Sequence, residues 1–363
     1  MPEMPEILSK AVAMRATDIL FVPDEPPIIR IDSRLQKLEG FAPLPAAETK
    51  RLIYSVLTQR QIQLFEKSGE LDMPLHLPGI TRFRVNVFLQ RKGIACALRP
   101  LAQKIPAPTD IGLEPVVVQM AEMPRGLILV AGPAGSGKTT TLATLIEHLN
   151  VNHQKHIITI EDPIEFVYEN QGCIIDQREV GTHTATFAGA LRSALRENPD
   201  VIMVGEMRDL ETIELAIRAA ETGHLCVSTL HTKDAASTID RIVNEFPSEQ
   251  QPKIKLALSS VLVGVVSQVL VPKIGGGRVC AREVMLMNSS ISSLIRDNKV
   301  HQIPGTIQAA KAEGMCTLDQ SLADLVMKKV VSREIAREFA QDLNSFANIF
   351  NQLAIPEAAE VLK

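Results

Sequence analysis

The chain has 363 residues, 45% of them apolar and 22% charged, which excludes a disordered or fibrous protein and leaves room for about two domains. Its formal net charge of -4 gives no overall basic footprint, so nucleic acid is not an expected partner. Cys96, Cys173, Cys226, Cys280 and Cys316 are far apart and form no C-x-x-C pair, which argues against a disulfide framework or a cysteine zinc site and for reduced thiols in the cytosol.

In chain order, the opening Met1 to Glu6 has neither a basic leader nor an apolar signal core. Asp18 to Val22 and Ile28 to Asp32 read as short strands around the Pro23 to Pro27 turn, and a helix is expected from Ala46 to Lys67. Arg82 to Leu89 alternates, placing Phe83, Val85 and Val87 on a core face and Arg82, Arg84 and Asn86 on a polar one. From Thr81 to Arg99 there are five basic residues, Arg82, Arg84, Arg91, Lys92 and Arg99, and no acidic one. Alone, that face is a solvated strand surface; beside a phosphate site its arginines would stabilise the charge of phosphoryl transfer. Prolines 100, 106, 108, 115 and 124 mark a connection, so residues 1–100 are expected as one domain, 101–125 as linker, 126–273 as the core of a second domain and 274–363 as its C-terminal helical part.

Gly126 to Ala131 is an apolar run short enough for a buried strand, and Thr141 to Leu149 reads as helix. Between them Gly132-Pro133-Ala134-Gly135-Ser136-Gly137-Lys138-Thr139-Thr140 fills the pattern G-x-x-x-x-G-K-[ST]. Glycines allow such a loop to curl its backbone N–H groups toward a phosphate, and the helix N-terminus adds partial positive charge. Lys138 would then reach the β/γ-phosphates of a nucleoside triphosphate and the Thr139 hydroxyl would hold Mg²⁺.

Further strands at Ile157 to Ile160, Val201 to Val204 and Leu225 to Leu230 alternate with helices, which predicts an α/β fold with a mostly parallel sheet. Leu258, Val261, Leu262, Val265, Val266, Val269 and Leu270 recur as one face of a buried helix, too short and too polar at Ser259, Ser260, Ser267 and Gln268 to span a membrane. After Gly275 to Gly277, Arg278 to Leu286 suggests a strand and the remainder several short helices.

Ligand contacts in such a sheet gather at the carboxyl ends of the strands. Three of these ends run into Glu161 to Glu165, Gly205-Glu206 and Thr229 to Thr232. Glu206 follows four apolar residues as a Walker-B acid would, and with Gly205 where an aspartate is usual its metal contact is expected through water. Asp209 is expected to cap the next helix. His231 could bond a phosphate or serve structurally, and His224 has the same two readings. His148, His153 and His156 have no acidic or cysteine companion at metal spacing and are expected at the surface.

Gly132 to Thr140, Thr159 to Phe166, Asn198 to Asp209 and Thr222 through Thr232 together resemble the Walker A, Asp box, Walker B and His box of secretion ATPases. The likeness is strongest to the retraction ATPases of type IV pili, the PilT family, and covers most of the chain. It implies a PAS-like α/β N-terminal domain, a RecA-like P-loop ATPase domain followed by C-terminal helices, and a homohexamer with nucleotide at its interfaces. By motif, it implies Glu165 as catalytic carboxylate, Glu206 as the Walker-B glutamate, and His224 and His231 as the His-box pair. Arg82, Arg84 and Arg99 match basic positions that face the nucleotide. Asp18-Ile19-Leu20-Phe21 and Ser290 to Asp297 depart from the family's pattern, the latter in a stretch tied to retraction.

The expectation is an Mg²⁺-dependent ATPase that drives pilus retraction from the cytoplasmic face of the inner membrane, held there through a pilus platform protein. An accessory retraction ATPase, an assembly or secretion ATPase, and a low-turnover nucleotide-dependent binding module are the alternatives.

Overall fold

The computed structural model describes residues 3–31, 34–101 and 104–354, the side chains up to residue 350. Asp32, two positions of the expected linker and the last nine residues of the expected C-terminal part lie outside the described residues. The chain divides into two compact units, Met1–Lys104 with Pro163–Val167, and Ile105–Asp162 with Tyr168–Lys363.

The first unit runs α1 (Met4–Ala13), β1 (Asp18–Phe21), β2 (Ile28–Ile31), β3 (Arg34–Lys37), α2 (Ala46–Tyr54), α3 (Gln59–Ser68), β4 (Glu70–Leu77), β5 (Thr81–Gln90) and β6 (Gly93–Pro100). Its six strands form one antiparallel sheet in the order β3-β2-β1-β6-β5-β4. Thr81, Phe83, Val85 and Val87 point into the core while Arg84 is exposed, as the alternation requires. The single helix expected from Ala46 to Lys67 is two helices. Thr58 breaks it by capping α3: it accepts from Gln61 N, and its own N–H donates to Gln61 Oε1 at 2.9 Å.

The second unit begins inside the stretch expected as linker, with α4 (Pro115–Ala121). It continues β7 (Gly126–Ala131), α5 (Lys138–Asn152), β8 (His156–Glu161), β9 (Ile174–Glu179), α6 (Phe187–Ala194), β10 (Val201–Val204), α7 (Leu210–Glu221), β11 (Leu225–Leu230) and α8 (Ala235–Asn244). Then come α9 (Gln251–Val261), β12 (Leu262–Pro272), β13 (Arg278–Leu286), α10 (Ser289–Arg296), α11 (Ile303–Ala309), α12 (Leu318–Met327), α13 (Arg333–Phe339) and α14 (Leu343–Ala354). Six parallel strands and an antiparallel edge follow the order β13-β12-β7-β11-β10-β8-β9. Every residue of β7, β10 and β11 is buried, the mark of a parallel sheet covered by helices on both faces.

The buried helix expected to run on to Leu270 is overturned. After Val261 the chain extends as β12, pairing Val265 with Leu129 and Ser267 with Ala131 of β7 and lining up with β13 on its other side. A strand apolar on both faces loses its period of two, so its residues match helical spacing equally well. The β-branched valines at 261, 263, 265, 266, 269 and 271 favour the extended form. The far ends of β12 and β13 carry a separate core in which Val271 and Ala281 meet Leu318, Leu322, Ala336 and Phe346 of the last helices and Val331 between α12 and α13. Among the described residues, no helix is long and apolar enough to cross a membrane.

Candidate functional site

The parallel register brings the carboxyl ends of neighbouring strands to one edge, since Ala131 of β7 lies beside Leu230 of β11 and Val204 of β10 lies beside both Ser228 and Ile160. The glycine loop leaves the sheet there and turns into α5. Gly132 has φ 145°, and a Cβ on it would stand 2.4 Å from Gln268 O and 2.6 Å from Ser136 Oγ. No other residue fits that close a crossing of loop and β12.

Lys138 is 8% exposed and its Nζ donates to Gly132 O at 2.8 Å and Pro133 O at 3.1 Å, with His231 Nδ1 at 3.4 Å. Burial lowers its pKa, and the charge of Glu206 opposes that effect. Ser136 Oγ is buried inside the loop without a hydrogen-bond partner. An ammonium folded back on its own loop and an orphaned hydroxyl fit a loop whose hydrogen bonds are completed by phosphate oxygens.

Glu206 extends from the end of β10, with Oε1 3.2 Å from His231 Nε2 and Oε2 accepting from Arg208 Nε at 2.9 Å. Lys138, His231 and Glu206 thus form one chain of contacts at the loop. Gly205 explains the missing aspartate: its N–H continues the ladder to Ile160 O at 2.7 Å, and a Cβ there would meet that same oxygen at 3.2 Å. Asp209 caps α7 by accepting from Thr212 N at 2.9 Å. Glu161 is buried and accepts from Thr159 Oγ1 at 2.6 Å and Gln177 Nε2 at 3.1 Å, which ties it to the sheet.

Not every candidate gathers at this edge. His224 precedes β11, so about 20 Å of strand separates it from His231. Its backbone oxygen accepts from Gly126 N at the start of β7, and its Nδ1 lies 3.0 Å from Ala219 O. Glu165 is half-buried and belongs to the Pro163–Val167 segment counted with the first unit. Arg82, Arg84 and Arg99 also lie in the first unit, where Arg84 and Arg99 stand opposite each other on β5 and β6. Arg99 donates through Nε and NH2 to Asp18 Oδ1, and Arg30 approaches Asp18 Oδ2 at 3.3 Å.

One expectation fails, and one residue of the site goes unsignalled. His148, His153 and His156 do have acidic companions, brought in from outside the local sequence. Glu122 Oε1 is 2.9 Å from His148 Nε2 and 3.9 Å from His153 Nε2, and Asp176 Oδ2 is 2.9 Å from His156 Nε2. Hydrogen bonding to Asp176 is among the contacts that raise the His156 pKa against the opposing effect of burial. Gln268 stands in the sequence only as a polar interruption of an apolar run. Its Nε2 donates to Ser136 O at 2.7 Å and its Oε1 accepts from Thr141 Oγ1 at 2.9 Å, so it braces the loop to α5. The one sequence signal for it was an amide among valines beside the loop's own strand.

Residues 2–348 match the family model described as Type II/IV secretion system protein. A type IV pilus retraction ATPase, PilT, of Pseudomonas aeruginosa is 46% identical over 344 residues, 95% of this chain and 100% of that protein. A twitching motility protein of Neisseria gonorrhoeae is 43% identical, covering 88% of this chain and 86% of its own length. The crystal structure of a pilus retraction motor PilT with bound ADP is 45% identical and superposes with a TM-score of 0.91 over 96% of this chain and 100% of that one.

Proposed function

We propose, because the chain belongs to the Type II/IV secretion system protein family, that it is an ATPase and the motor of type IV pilus retraction in twitching motility. The observation that carries the reading is the contact chain Lys138–His231–Glu206 at a complete glycine loop, in a chain aligned over 95% of its length with a retraction ATPase.

Gly132, Ala134, Gly135, Ser136, Gly137 and Thr140 bind the phosphates through the loop backbone and the start of α5. Lys138 exchanges its contacts with Gly132 O and Pro133 O for phosphate oxygens. Thr139 and, through water, Glu206 supply the hard oxygen ligands that suit Mg²⁺. Bound there, such an ion would supply positive charge against that building on the phosphates. His231 touches both Lys138 and Glu206 and is placed to register whether the γ-phosphate is present. Glu165 takes the proton of the attacking water as its oxygen bonds to the γ-phosphorus and the bridging bond to ADP breaks. Arg82, Arg84 and Arg99 stabilise the charge of that transfer from the N-terminal unit. His224 holds the turn between α7 and β11. Six such chains form a ring at the cytoplasmic face of the inner membrane, bound to a pilus platform protein, and turnover opens and closes the two units of each chain.

The test pairs genetics with turnover. Deleting the gene is expected to abolish twitching and leave excess surface pili; cells without any pili would overturn the retraction role. Glu206→Gln is expected to lower steady-state ATPase about 100-fold or more. Wild-type turnover no higher than that of the variant would instead favour a nucleotide-dependent binding module.

A further inference from the structure

Among the described residues, one group of possible metal ligands has its donor atoms within 4.8 Å of one another: Glu122, His148 and His153. All three belong to the second unit and lie away from the residues assigned to ATP. Glu122 is the C-cap of α4, His148 sits in the last turns of α5, and His153 is the C-cap of α5. The two helix ends pack together, and the partial negative charge of a helix C-terminus favours a cation at such a place.

From this geometry we propose that Glu122, His148 and His153 form a zinc-class metal site that ties α4 to α5. Two imidazole nitrogens and one carboxylate oxygen make a donor set that suits zinc and its divalent neighbours, whereas calcium and magnesium ask for oxygen alone. Tetrahedral ligands about 2.1 Å from a central ion stand roughly 3.4 Å apart. The separations of 2.9 Å and 3.9 Å from Glu122 Oε1 to the two rings bracket that value. The rings meet edge to face with centroids 6.4 Å apart, and the three donor atoms lie within 4.8 Å of one another, close to the spacing of ligands on one ion. Side-chain exposures of 19%, 31% and 42% leave the fourth position open to water. Metal at His148 Nε2 would put the ring proton on Nδ1, which faces the Asn152 amide 3.3 Å away; accepting that proton through the amide oxygen would cost the bond from Asn152 Nδ2 to His148 O at 2.8 Å.

The position gives such an ion its role. α4 leads into β7 and α5 leaves the glycine loop, so one bound ion clips both ends of the strand, loop and helix that hold the phosphates.

The test uses the full chain freed of metal with a chelator and titrated with Zn²⁺ in the absence of nucleotide. One ion per chain is expected, and Co²⁺ in its place is expected to give the strong visible absorption of a four-coordinate centre. His148→Gln and His153→Gln are each expected to weaken Zn²⁺ binding more than about tenfold. Cys280→Ser with Cys316→Ser is expected to leave it unchanged. Absence of a stoichiometric site at micromolar Zn²⁺, or binding that survives both histidine substitutions, overturns the proposal. Loss of binding in the cysteine variant overturns it as well.

Discussion

Gln268→Ala tests whether the glycine loop is held in shape from β12. The side chain is 2% exposed and satisfies two partners at once, Ser136 O at 2.7 Å and Thr141 Oγ1 at 2.9 Å. Truncation strands both, and a buried polar group left unsatisfied costs about 1–3 kcal/mol, so the pair amounts to roughly 2–6 kcal/mol. Water entering from the loop side recovers part of this, which puts the expected loss near the lower end, about 2–3 kcal/mol. For a unit of this size that lowers Tm by about 5–10 °C. Ser136 and Thr141 flank the residues proposed to meet the phosphates, so ADP affinity is expected to fall about tenfold, equivalent to about 1.4 kcal/mol. Gln268→Glu keeps an acceptor for Thr141 but removes the donor to Ser136 and adds a buried anion beside the phosphates; it is expected to bind ADP more weakly still. Thermal unfolding and titration with a fluorescent ADP analogue read the two effects separately. A Gln268→Ala protein with unchanged Tm and ADP affinity would refute the idea that this strand shapes the loop.

Burial raises the pKa of Glu283 from an ordinary 4.5 to about 7, with Asp234 and Asp319 adding to the rise and the N–H of Ala235 opposing it. A group whose folded pKa is raised loses its stabilising contribution as pH climbs through the folded value, so stability is expected to fall between about pH 4.5 and 7 by up to about 3 kcal/mol. Glu283→Gln keeps an acceptor for Ala235 and is expected to raise Tm at pH 8 but scarcely at pH 5; a gain equal at both would sink the assignment. Gly205→Ala would set a Cβ 3.2 Å from Ile160 O, and the resulting shift of Glu206 is expected to lower kcat several-fold with KM nearly unchanged. A rise in KM alone would mean that the strain reaches the loop and not the carboxylate.

Much of the site was legible because each part is local. A glycine loop between an apolar strand and a helix, and acids or histidines directly after apolar runs, state their own positions at the carboxyl edge of a parallel sheet. What failed was non-local. Leu262 to Pro272 is mostly buried because α4, α8 and α13 pack on it in a sheet where β7 and β13 pair with its edges, and such a run has no clean period to reveal a strand. The same error hid Gln268, whose partners lie more than 120 positions away. Glu122 reaches His148 across 26 positions, and Asp18 holds Arg99 across 81. Spacing rules cannot register pairs that only the packing of α4 on α5, or of β1 on β6, creates.

The two sides of the loop differ in a way that bears on how turnover becomes movement. On the β12 side the contacts are buried and directional, and β12 itself runs on into the core formed with the last helices. That side is a fixed wall. On the other side Lys138 bonds to its own loop, and His231, with its side chain 48% exposed, spans Lys138 and Glu206. These contacts use groups that a phosphate replaces directly, and replacing them strands no buried apolar surface. Under the proposed function, gain and loss of a γ-phosphate would therefore act first on His231 and Glu206, at the ends of β11 and β10, while β12 and the glycine loop would keep their shape.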